Sequence, residues 1–169
     1  MERLWAAWRS AYVTSTAGGG EITFEGGGSL FRRILESGLP DEQTRIVWRG
    51  EHNFTILNAY PYTSGHVMVM PYREVGELED LSEEEAAELW LAVTQAVVAI
   101  KAAYNPHGIN VGLNLGEAAG AGVPSHLHVH VLPRWSADSN FMTAVAETRV
   151  LPESLDEAWR KLRAAWPAS

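Results

Sequence analysis

Three of the six histidines in this 169-residue chain stand at alternate positions, His126, His128 and His130. Leu127, Val129 and Val131 fill the positions between and after them. In an extended strand, alternate side chains share a face. The three imidazoles would then line one side of a sheet, and the aliphatic residues would enter a core on the other. Successive rings would sit about 6.5–7 Å apart at the backbone. A lone strand histidine is ordinarily a satisfied or surface residue; three in register are hard to assign to packing. Two chemistries use such a row. Imidazoles at i and i+2 converge on zinc, iron or copper. A neutral imidazole, with a pKa of about 6.5, also attacks phosphorus while its neighbours donate to the phosphate oxygens.

Nearby residues favour phosphorus. Asn110 and Asn114 share a strand face with Gly112 between them, a polar strip where a ligand could lie. The loop that follows, residues 116–122, contains Gly116, Gly120 and Gly122, and offers backbone N–H groups with few side chains in the way. No carboxylate sits inside the histidine row to complete a metal shell. The chain carries 21 acids against 13 bases, a net charge of −8. A polyanionic ligand therefore needs a local positive cleft, for which the histidines, the loop amides and Arg134 are the candidates.

The elements that must position these residues can be read from pattern. Residues 29–36 predict a short helix, closed by Gly38 and Pro40. Residues 44–49 and 53–58 predict a hairpin, and 66–70 a third strand. Ser82 and Glu85 form a capping-box pattern. From there Ala86, Leu89, Trp90, Val93, Val97, Ile100 and Tyr104 repeat at helical spacing. Residues 109–115 and 126–132 alternate as strands, and 153–166 predict an amphipathic helix with Leu155, Trp159, Leu162 and Trp166 on one stripe. The fold class expected is α+β: an antiparallel sheet of about five strands with one long helix on it, plus short N- and C-terminal helices. Three regions follow: an arm and glycine-rich linker over 1–28, a domain over 29–150, and a C-terminal helix over 151–169 packed on that domain.

Composition narrows the class. Apolar residues make up 46% and charged residues 20%, as in a folded domain. The acidic balance lacks the broad basic footprint of a nucleic-acid binder. With no cysteine, a disulfide framework, a cysteine–zinc site and a cysteine nucleophile are excluded. No unbroken apolar run reaches membrane-span length, and the first residues lack a signal-peptide layout. The expectation is a cytoplasmic enzyme with no membrane partner. The arm residues Leu4, Trp5, Trp8 and Tyr12 need a surface to cover them, and the long helix carries extra apolar positions at Ala87, Leu91, Ala96 and Val98. A homodimer is expected.

The run His126–Leu132 resembles the signature of the histidine triad family, His-φ-His-φ-His-φ-φ with φ apolar. Pro133-Arg134-Trp135 after it is similar to the fragile-histidine-triad branch. Asn58 with Tyr60-Pro61-Tyr62-Thr63-Ser64-Gly65-His66 resembles another family segment, Leu113–Gly116 a third, and Trp5–Tyr12 the arm of bacterial members. The resemblance implies cleavage of dinucleoside polyphosphates at the α-phosphorus, with phosphate or water as second acceptor. It implies that His128 is the nucleophile, that His126, His130 and His66 support it, and that Asn114 holds a phosphate oxygen. It further implies that Asn58 bonds ribose hydroxyls and that Ile56 and Met68 line a base slot. No tightly bound cofactor is implied, although a divalent cation can accompany the nucleotide. Two departures stand out. Ser29-Leu30-Phe31-Arg32 replaces the Cys-x-x-Cys pair of many bacterial members, so the short helix must be held by packing. Ser125 replaces an acid before the first histidine. Two other readings remain open, a nucleotide-binding module without turnover and a three-histidine metalloenzyme.

Overall fold

The computed structural model describes residues 26–136, 138 and 152–168. The expected arm, residues 1–16, and most of the glycine stretch lie outside the described residues. Helix α1 (Leu30–Glu36) starts at Ser29, whose hydroxyl caps it by accepting from the Arg32 N–H. One further turn, α2 (Asp41–Thr44), follows Pro40; the sequence reading did not include it. Strands β1 (Ile46–Arg49), β2 (Asn53–Leu57) and β3 (Val67–Pro71) then run antiparallel. The long helix α3 (Glu83–Tyr104) leads to β4 (Gly108–Leu113) and β5 (Val129–Arg134), and α4 (Leu155–Ala165) closes the described chain.

The five strands form one antiparallel sheet in the order β1-β2-β3-β5-β4. The capping box expected at Ser82 with Glu85 is present, and a second one, at Ser154 with Glu157, starts α4. By length and composition α3 could cross a membrane. Here it lies over β2, β3 and β5 instead. It buries Leu89, Ala92, Val93, Ala96, Ala99 and Ile100 against Val47, Leu57, Val67, Val69, Val129 and Val131. Helix α4 joins the same core through Ala158 and Leu162. Its Trp159 indole donates to the Ile46 carbonyl at 2.8 Å. Trp166 stacks on Trp48.

The opposite face is covered by α1. Phe31 and Ile34 pack there with Ile46, Phe54, Ile56, Met68 and Met70. The β4 edge is less covered: Val111 is 44% exposed, as are Trp90 (47%), Leu91 (57%) and Val98 (49%) on the outer side of α3.

One boundary differs from the sequence reading. The fifth strand begins at Val129 and runs to Arg134, rather than spanning 126–132. Pro71 explains the late start. The register pairs Val69 with Val129, so the next step would oppose Leu127 to Pro71, which has no N–H to give the ladder. The Leu127 N–H turns to the Val75 carbonyl instead, at 2.6 Å.

Candidate active site

The alternation predicted for the histidines holds even though two of them precede the strand. Leu127, Val129 and Val131 enter the core beneath α3. His126 and His128 face α1, where Phe31 meets both rings at 5.4 and 5.6 Å between centroids. His130 sits in a cross-strand row of Ile46, Ile56, Met68, His130 and Gly112. His66, just ahead of β3, is fully buried and reaches this row: its Nε2 lies 2.9 Å from His130 Nδ1.

The hydrogen bonds assign the ring protons. The Tyr62 backbone N–H can only donate, and it points at His66 Nδ1 from 3.1 Å. Asn58 Nδ2 donates to the same atom at 3.3 Å. His66 therefore carries its proton on Nε2 and donates it to His130 Nδ1. His126 Nε2 lies 2.8 Å from the Pro71 carbonyl oxygen, which only accepts, so His126 is protonated there. Its Nδ1 accepts from the Ser29 hydroxyl at 2.7 Å. His128 Nδ1 donates to the His126 carbonyl oxygen at 2.8 Å. The lone pair of His128 is thereby left on Nε2, which makes no hydrogen bond among the described residues. Burial pushes the pKa of both His126 and His128 below the usual histidine value, so both rings are neutral at neutral pH.

This arrangement does not suit a metal held by the three histidines. Both nitrogens of His126 and the Nδ1 atoms of His128 and His130 are already engaged. A buried, neutral imidazole with one oriented lone pair is a nucleophile.

The remaining expected residues divide into those the fold brings to the triad and those it does not. Gly112 pairs with His130 and Leu113 with Val129, so Asn114 and His128 follow next in that register. Asn114 Nδ2 reaches the Gly120 carbonyl at 3.4 Å and closes the loop. Gly116 and Gly120 have φ of 73° and 95°. The N–H groups of Gly120 and Ala121 bond to carbonyls of the loop itself, while Gly122 is exposed. Arg134 departs from expectation. It lies at the far end of β5, about 20 Å along the strand from His128. There it is paired with Asp138 and bonded to Asn110. An arginine already neutralised by a carboxylate at the wrong end of the strand supplies no charge at the triad.

Asn58 was expected at the ribose. It is buried, its Oδ1 accepts from the Tyr60 N–H at 3.0 Å, and its Nδ2 faces His66. Ile56 and Met68 share the histidine face but are covered by Phe31 and Ile34. Four residues had no role assigned from sequence: Ser29, Phe31, Tyr62 and Glu74. Tyr62 packs on His66 and His130, at 4.6 and 5.8 Å between centroids. Glu74 accepts from the Ser29 N–H at 3.0 Å. Only Ser29 had a local signal, as a helix cap; nothing in the sequence tied it to His126, 97 positions away.

Residues 40–137 match the HIT domain family. A protein of Mycobacterium tuberculosis named AP-4-A phosphorylase is 41% identical over 98% of this chain and 85% of its own. The bis(5'-adenosyl)-triphosphatase of Dictyostelium discoideum is 34% identical over 57% of this chain and 64% of its own. Among solved structures, a zinc-bound histidine triad family protein from Mycobacterium smegmatis superposes with a TM-score of 0.66 at 28% identity. That match covers 82% of this chain and 92% of the other. A histidine triad nucleotide-binding protein from Sulfolobus tokodaii gives 0.65 at 28% identity, over 80% and 89%.

Proposed function

This chain belongs to the histidine triad (HIT) family, and from that premise we propose that it cleaves dinucleoside polyphosphates through a nucleotidyl group carried on His128. The observation that carries the proposal is the bond from His128 Nδ1–H to the His126 carbonyl oxygen, which leaves the Nε2 lone pair for attack. With diadenosine tetraphosphate, Nε2 bonds to the α-phosphorus as the bond to the bridging oxygen breaks, and ATP leaves. An acceptor oxygen then displaces His128 and restores the free imidazole. His66 and His130 form a relay of fixed protons beside it, suited to donating toward phosphate oxygens. We assign Asn114, one residue beyond the Leu113–Val129 pair, to bond the transferring phosphate. A divalent cation comes to the site with the polyphosphate.

Inorganic phosphate is the acceptor we favour, on the strength of the M. tuberculosis relative that is named a phosphorylase. Incubation with diadenosine tetraphosphate, with and without phosphate, tests both parts. ADP plus ATP formed only with phosphate is the expected result. AMP plus ATP independent of phosphate makes the protein a hydrolase. No turnover leaves only nucleotide binding and removes the proposal.

The working unit is proposed to be a homodimer. Val111 and Leu115 beside the sheet edge, with Trp90, Leu91 and Val98 on α3, present exposed apolar side chains on adjacent elements. Such a surface suits a two-fold joint. Sedimentation at micromolar concentration should show the dimer, and Leu91→Glu should shift it toward monomer. A parent protein that sediments as a monomer rejects this assembly.

A further inference from the structure

We propose that Ser29 is a positioning residue for the reaction, holding the proton of the nucleophile on Nδ1 by way of His126. The inference builds on the assignment of His128 above. Ser29 Oγ accepts from the Arg32 N–H to cap α1, at 3.2 Å. Its single hydroxyl proton remains for His126 Nδ1, at 2.7 Å. The Ser29 backbone is fixed in turn, since its N–H donates to Glu74 Oε2 at 3.0 Å.

The consequence passes along covalent geometry. His126 is fully buried and pinned at both ring nitrogens, by Ser29 and by the Pro71 carbonyl. A ring that cannot turn holds its own peptide, and the carbonyl of that residue accepts the His128 Nδ1 proton. Without the serine hydroxyl, His126 Nδ1 becomes a buried acceptor with no donor, which is costly. The ring relieves that by shifting its proton or turning, and either change weakens the bond to Pro71. The carbonyl then orients His128 less strictly. A fraction of His128 would carry its proton on Nε2, where attack requires a lone pair.

Helix capping alone would also explain a serine here, so the test must separate the two roles. Glycine caps nearly as well as serine but has no hydroxyl; threonine supplies both functions. The steady-state constants and the ¹⁵N signals of the His128 ring should be measured for the full chain, for Ser29→Gly and for Ser29→Thr. Ser29→Gly should lower kcat about tenfold, the worth of one lost hydrogen bond, with KM little changed. The His128 nitrogens should move toward mixed tautomers. Ser29→Thr should restore both. Ser29→Gly with parental kcat and parental ring signals overturns the proposal. A lowered kcat with an unchanged His128 tautomer, or no restoration by threonine, also overturns it and leaves Ser29 a helix cap. The ring signals decide this even if the parent shows no turnover, an outcome that would instead reject the proposed activity.

Discussion

His128→Gln is expected to lower kcat by about four orders of magnitude, because it removes the group we assign to carry the nucleotidyl intermediate. That is about 5.4 kcal/mol of barrier. Glutamine is the better probe than alanine. The sequence reading expected His128 to point away from the core, but the ring is only 5% exposed and packs on Phe31. Alanine would leave a cavity there and cost stability on the order of 1–3 kcal/mol, confusing the two effects. Mass spectrometry after an alkaline quench should find a nucleotidyl group on His128 in the parent and none in the variant. A His128→Gln protein with parental turnover would reject the nucleophile outright. The pH dependence follows from the same burial. The groups facing His128 and His126 are each other, His130 and Glu74, and desolvation dominates for both rings. Their folded pKa values lie below the unfolded value of about 6.5. The folded state therefore binds fewer protons than the unfolded state as pH falls past 6.5, so both groups cost stability only below that pH. The acid limb of kcat/KM should likewise lie below pH 6.5. A limb above 7 would mean that another group controls the rate.

How much of this site was legible beforehand depended on distance along the chain. The histidine row is written in a period of two, which needs only the local geometry of an extended chain, and its faces were read correctly. The five strands and the long helix carried the same kind of signal in alternation, capping residues and breakers. What sequence could not show is which carbonyl or hydroxyl meets each ring nitrogen. Pro71 and Ser29 reach His126 across 55 and 97 positions, and the second contact exists only once α1 has packed on the sheet. The same packing answers what holds α1 without cysteines: Phe31 and Ile34 in an apolar cluster, and Ser29 bonded to both His126 and Glu74. Arg134 was misread for the opposite reason. Its partner Asp138 lies four residues on, but pairing outside a regular helix has no periodic signal.

Gly65→Ala should be among the most destabilising single-methyl changes in the protein, by about 2–5 kcal/mol. Two independent costs combine. Gly65 has φ of 75°, a left-handed conformation that costs a residue with a Cβ about 1–2 kcal/mol. A Cβ there would also lie 2.5 Å from Cε2 and 2.9 Å from Cζ of Tyr104, an overlap costing about 1–3 kcal/mol. The ring has little freedom to retreat. Its hydroxyl donates to Glu153 Oε1 at 2.7 Å, Trp135 meets its edge, and Lys161 sits over its face while bonded to Glu153. Burial and the bond to Glu153 push the Tyr104 pKa well up, so it remains a donor throughout the useful pH range. Because Gly65 immediately precedes His66, the strain reaches the bond from His66 Nε2 to His130, and kcat should fall beyond what unfolding accounts for. Adding Tyr104→Ala separates the costs: unfolding of the double variant should show less loss than the sum of the single changes, since the overlap is gone and only the backbone penalty at Gly65 persists. If Gly65→Ala unfolds within about 0.5 kcal/mol of the parent, Tyr104 does not pack on the loop that carries His66. The C-terminal helix would then be uncoupled from the active site.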